Sequence, residues 1–137
     1  MNAVTQETLR CSRPLTLAFL AHCAASLIHF VHNAVYLRDY PNLPAWLTSS
    51  GVYASWCALT AIGCTGLALL RFGFRRAGLG VLVLYTLLGF GGLDHYTVAS
   101  IRAHTLAMNL TIVLETLTAS LLLFVVIREW SRTSRVP

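Results

Sequence analysis

The sequence predicts an all-α integral membrane protein: a four-helix transmembrane bundle, multi-pass in the cell membrane, with both termini cytoplasmic and short loops. Three observations carry that expectation. The chain has 137 residues, of which 56% are hydrophobic and only 11% charged, against about 25% charged in an average soluble domain. The apolar residues gather in four runs, about 14–37, 51–70, 77–98 and 105–127, each near the ~20 residues an α-helix needs to cross the hydrocarbon layer. The ten basic residues are all arginines, and most fall in three groups: Arg10 and Arg13, then Arg71, Arg75 and Arg76, then Arg128, Arg132 and Arg135. Lys/Arg excess marks cytoplasmic segments, so both ends and the second loop are expected inside.

Residues 1–13 read as a polar cytoplasmic tail. The run that follows continues to Leu37, past the roughly 7–15 apolar residues of a signal-peptide core, and is expected to remain as the first helix. Leu20-Ala21-His22-Cys23 also fails as a lipoprotein cleavage box, because His22 stands where a small residue is wanted. Between the first two helices, Arg38-Asp39-Tyr40-Pro41-Asn42-Leu43-Pro44-Ala45-Trp46 carries two prolines, which fix φ and stop helices. This segment is expected to form an ordered lid, with Tyr40 and Trp46 in the headgroup layer. Thr48, Ser49 and Ser50 supply candidate caps for the second helix.

The second helix offers Ala54, Ala58, Ala61, Gly63 and Gly66 for close approach of neighbouring backbones. The third contains Gly89-Phe90-Gly91-Gly92 just before Asp94 and His95. Glycines there permit a kink, a close crossing or the approach of a flat ligand, with helix packing the favoured role. The fourth helix is expected to end near Ile127, leaving 128–137 as a basic cytoplasmic tail.

Several function classes are set aside by composition. The net charge of +5 comes from arginines grouped at loops and ends, the pattern of membrane topology, so no nucleic-acid partner is expected. Cys11, Cys23, Cys57 and Cys64 include no CxxC and none lies in an outer loop, so they are expected to be small packing residues without disulfides. No phosphate-cradling glycine loop or dinucleotide fingerprint is present. The expected partners are membrane lipid and, for a chain this small, a second copy or a membrane complex.

Against that apolar background the ionisable residues stand out, because charged groups in a bilayer are costly and commonly functional. His22, His29, Asn33 and Tyr36 share one face of the first helix, and His104, Met108, Thr111 and Glu115 one row of the fourth. With a rise of about 1.5 Å per residue, His32, Asn33, Asp94, His95 and Asn109 lie roughly 10–12 Å outward of the bilayer centre. Glu115 comes out near the midplane with His22 and His29 within about 6 Å of its level, and His104 at the outer rim.

Imidazole and carboxylate together suit Zn, Cu, Fe or Ni. The expected metal ligands are His29, His32, His95, Asp94, Glu115 and His104, with Asn33, Tyr36 and Asn109 orienting them from outside. A b-type haem between histidines of different helices is an alternative, as is a proton or small-molecule path through His22, His29 and Glu115. A structural accessory subunit is the remaining one. Interhelical hydrogen bonds in membranes contribute about 0.6 kcal/mol each on average, which gives a scaffold little reason to collect so many ionisable groups. No nucleophile–base pair is placed by motif, so enzyme status stays open. If the chain is an enzyme, redox or metal-assisted chemistry on a small or lipid-soluble substrate is the class expected.

Overall fold

The computed structural model describes residues 12–133. Arg10, Cys11 and Arg135, with the tails they belong to, lie outside the described residues. The described chain is helical throughout: α1 (Arg13–Val35), α2 (Ser49–Arg71), α3 (Arg75–Leu88), a 3-10 turn (Gly91–Asp94), α4 (His95–Val98), a second 3-10 turn (Ile101–Ala103) and α5 (Leu106–Thr133). Four segments are long and apolar enough to cross a membrane: Arg13–Val35, Ser49–Arg71, Arg75–Val98 and Leu106–Arg132.

Local chemistry sets the helix ends. Ser12 caps α1, its hydroxyl accepting from the Leu15 N–H, with Pro14 in the first turn, where a missing N–H costs nothing. Of the three candidate caps for α2, Thr48 is the one used, accepting from the Gly51 N–H at 3.1 Å. At the other end of α2, Phe74 N–H bonds Leu69 carbonyl and Gly73 N–H bonds Leu70 carbonyl, with Gly73 at φ 87°. That is the Schellman arrangement, which favours glycine because a side chain is strained at positive φ. Thr105 opens α5 by accepting from the Met108 N–H.

The long helices pack in a ring, each against two neighbours: α1 against α5 and α2, α3 against α2 and α5. At the end carrying the described termini the centre is apolar, filled by Leu15, Phe19, Leu70, Leu79, Leu82, Leu122 and Val126 with Tyr85. The α2–α3 crossing is close: a Cβ on Gly66 would meet Leu82, and one on Gly78 would come within 2.8 Å of the Gly66 carbonyl. Gly63 is pressed in the same way by Phe19 and Tyr85. Ala54, Ala58 and Ala61, expected at the same contact, instead lie on the exposed side of α2.

Two elements differ from the sequence expectation. The third apolar run is not one continuous helix, since α3 stops at Leu88 and the chain tightens through Gly91–Asp94 before His95–Val98. The last helix continues to Thr133, because residue 129 belongs to the core. Glu129 is only 6% exposed. It receives bonds from Arg75 at 2.8 Å, Arg132 at 3.2 Å and the Ser12 hydroxyl at 2.9 Å. One carboxylate thus ties the starts of α1 and α3 to the end of α5.

The 36–48 connection folds over the opposite end. Asn42, at φ 58°, donates to the Val98 carbonyl at 2.8 Å. Ser49 donates to the Ala34 carbonyl at 2.7 Å. Trp46 is exposed, whereas Tyr40 turns inward and is only 4% exposed.

Candidate functional site

Above the apolar end, α1 and α5 face each other with polar side chains. His22, Ser26, His29 and Asn33 are buried along one face of α1, and Glu115 is buried on α5. The 3-10 turn after α3 supplies the floor. A Cβ on Gly92 would come within 2.8 Å of Glu115 Oε2 and 3.5 Å of His29 Nε2. Only hydrogen at this position lets the backbone lie so close to both groups, and this accounts for the glycine and for the break in the third span. One turn earlier a Cβ on Gly89 would come within 2.5 Å of His22 Nε2.

The hydrogen bonds define which ring nitrogens are free. Thr111 gives its hydroxyl proton to the Met108 carbonyl at 2.9 Å, so its oxygen accepts from Nδ1–H of His29 at 3.2 Å. The Nε2 lone pair of His29 then faces the site, where it accepts from the Asn33 amide at 3.0 Å. The same amide nitrogen lies 3.3 Å from Nε2 of His95. Glu115 Oε2 stands 3.6 Å from His29 Nε2, and the Ser26 hydroxyl bonds the same carboxyl group. His29, Asn33, His95 and Glu115 therefore converge from α1, α4 and α5. Two buried oxygens in this group, Asn33 Oδ1 and Glu115 Oε2, have no hydrogen-bond partner.

The group forms the polar end of a cavity of about 430 Å³ whose other walls include Phe30, Leu47, Val52, Leu59 and Leu88. Burying an unpartnered polar atom costs about 1–3 kcal/mol. Both residues that carry these atoms line the cavity.

The remaining expected ligands go elsewhere. His32 is held by the Tyr40 hydroxyl at 2.8 Å from its Nδ1 and stacks on Tyr36, ring centroids 4.7 Å apart. His104 precedes α5 instead of extending its row, and its Nδ1–H donates to the Ser100 carbonyl at 2.9 Å. Asp94 is exposed, though it lines the cavity. Asn109 braces the 99–105 loop, accepting from the Tyr96 hydroxyl and donating to the carbonyls of Ile101 and His104. Tyr36 is exposed at the end of α1. Among the described residues, no three His, Cys, Asp or Glu side chains are arranged as a metal site. For the haem alternative, which sets His29 or His32 opposite His95, the Asn33 side chain bonds to the rings of His29 and His95.

Four contributors, Ser26, Tyr40, Thr111 and Gly92, were not assigned to the site from the sequence. Tyr40 packs its ring 4.8 Å from His95, and the Thr111 side chain is in hydrogen-bonding reach of its hydroxyl. Burial pushes the Tyr40 phenol up to about 12, with the Thr111 bond partly opposing and Tyr96 adding to the rise. Thr111 shares a helical row with Glu115, which was the available signal for it. Gly92 had a weaker signal, its place in a glycine cluster. Tyr40 had none, since whether a loop tyrosine turns to the surface or the interior depends on the space beneath it. No protein family, characterised protein or solved structure shows significant similarity to this chain.

Proposed function

We propose that this chain is a multi-pass membrane protein that binds a lipid-soluble small molecule in the cavity between its helices and exchanges a proton with it. The observation that carries the reading is the pair of unpartnered buried oxygens, Asn33 Oδ1 and Glu115 Oε2, at the polar end of an otherwise apolar cavity. Ligand sites are commonly of this kind, an apolar pocket with a few convergent polar groups. The ligand class that fits has an apolar body and one hydroxyl, carbonyl or similar group turned toward Glu115 and His29. An imidazole and a carboxyl 3.6 Å apart can pass a proton to or from that group. Arg71, Arg75, Arg76, Arg128 and Arg132 gather at the end where the described chain begins and ends, and in this reading the Lys/Arg bias supports a cytoplasmic location for that end with the Tyr40 loop outside.

The test is thermal stabilisation of the full chain in lipid nanodiscs by a panel of long-chain alcohols, ketones, sterols and quinones. A true ligand at about a hundred times its Kd stabilises by about 2.7 kcal/mol. Stabilisation by one chemical class that disappears in Gly92→Val, which fills the cavity, supports the reading. Equal behaviour of the wild type and Gly92→Val across the panel overturns it.

A second reading is a divalent transition metal, favoured by one feature: the Nε2 atoms of His29 and His95 both aim at a single amide nitrogen. A cation there would displace the Asn33 amide and draw both rings inward, since Zn–N distances are about 2.0–2.1 Å. Stoichiometric metal in protein purified without a metal column, lost in His29→Ala and His95→Ala, would put this reading first.

A further inference from the structure

The site is not isolated from the loop-bearing end of the bundle. From Glu115 outward, groups able to accept and donate protons follow one another toward that end. His29 Nε2 is 3.6 Å from the carboxyl. Nδ1 of the same ring is 3.2 Å from the Thr111 hydroxyl. Thr111 reaches the Tyr40 hydroxyl, which is 2.8 Å from Nδ1 of His32. His32 is partly exposed at the end of the series, while Tyr40 and His29 are buried. The inward direction is different. His22 bonds Thr118, and beyond it Leu15, Phe19, Leu79, Leu82 and Leu122 fill the centre.

We propose that His32, Tyr40, Thr111 and His29 form a one-sided proton relay that connects Glu115 to water at the end carrying the 36–48 loop. The proposal rests on the reading of His29 and Glu115 as the working pair. A proton taken up at His32 leaves its Nδ1 for the Tyr40 oxygen as Tyr40 passes its own to Thr111. Thr111 swings its hydroxyl from the Met108 carbonyl to His29 Nδ1, and His29 releases the proton on Nε2 to Glu115 Oε2. Each member gains one proton and loses one.

The receiving state needs His29 with hydrogen on Nε2. Half a turn of the Asn33 amide then brings Oδ1 to that N–H, between the two oxygens that otherwise lack partners. The side-chain amide is thus the switch between the two ring tautomers. The groups facing the relay are His95 and His104 from the segment after α3, whose rings lie 4.8 and 6.3 Å from Tyr40. Tyr96 and Asp94 are on the same segment, and His22 lies below on α1.

The test is the rate of deuterium exchange at the Glu115 carboxyl, followed by infrared spectroscopy of the full chain in nanodiscs, with Glu115→Gln identifying the band. Tyr40→Phe and Thr111→Val, each nearly isosteric, are expected to slow exchange about a hundredfold, within the usual range for a positioned acid–base group. Thr111→Ser restores the hydroxyl and the rate. Tyr85→Phe and Cys23→Ala, on the cytoplasm-facing side, leave it unchanged. Wild-type exchange rates in Tyr40→Phe and Thr111→Val, with the same melting temperature, overturn the relay, as does slowing by Tyr85→Phe instead. Ligand stabilisation is read separately, so a failed relay and a failed ligand site are distinguishable.

Discussion

Glu115 Oε2 and the α-carbon of Gly92 are so close that a methyl group at residue 92 would come within 2.8 Å of the carboxyl oxygen. The turn after α3 thus places bare backbone beneath a buried acid, with His29 beside it and the cavity opening next to both. The break in the third span and the close approach of backbone to Glu115 and His29 are one feature.

Gly92→Ala is expected to push the Glu115 carboxyl off His29, to weaken ligand binding, and to cost about 1–3 kcal/mol of stability as an overpacking change. Gly91→Ala is the matched control, since a Cβ there meets nothing within 4 Å. Thermal melts of both variants in detergent check the difference. Equal melting temperatures would refute the close packing.

Glu115→Gln keeps the shape and removes the ionisable group. A carboxylate buried with an unpartnered oxygen is costly to keep from water, so the melting temperature of the neutral isostere is expected to hold or rise while proton exchange with ligand is lost. A clear drop in stability with ligand stabilisation intact would show that the residue serves only the fold.

Glu129→Ala is expected to destabilise without touching the proposed ligand site. It removes the acceptor of Ser12, Arg75 and Arg132, and hydrogen bonds to charged groups contribute about 1.5–3 kcal/mol each before solvent screening. Arg75 and Arg132 keep partial access to water, so the net loss is expected nearer 2 kcal/mol than the sum. Denaturation paired with ligand stabilisation on the remaining folded fraction separates the two effects.

Tyr40 gives a pH dependence with a definite sign. Its phenol is raised from 10.0 to about 12, chiefly by burial, so the folded state holds this proton more tightly than the unfolded chain. The associated stability is complete below pH 10 and is lost as pH rises through about 12. Unfolding midpoints measured from pH 8 upward are expected to fall more steeply in the wild type than in Tyr40→Phe. Parallel curves would mean that Tyr40 is not buried.

The four apolar spans and the grouping of arginines were legible in the sequence because each is a local property: a run of apolar residues, a cap such as Thr48, a charge at a loop. The polar row on α1 was legible for the same reason, since 3.6 residues per turn puts His22, His29 and Asn33 on one face whatever surrounds them. Membership of the site was not. His29 and His32 are one turn apart, yet one faces Glu115 and the other Tyr40. That choice depends on how α1 is rotated against α5, which is fixed by packing. The tertiary structure alone also decided that Asp94 is exposed at the cavity, that Tyr40 turns inward, and that Glu129 is buried. A sequence determines which residues an element carries and which face they share. Only the approach of other elements decides what each face meets, because contact distances between helices are set by the side chains of both partners.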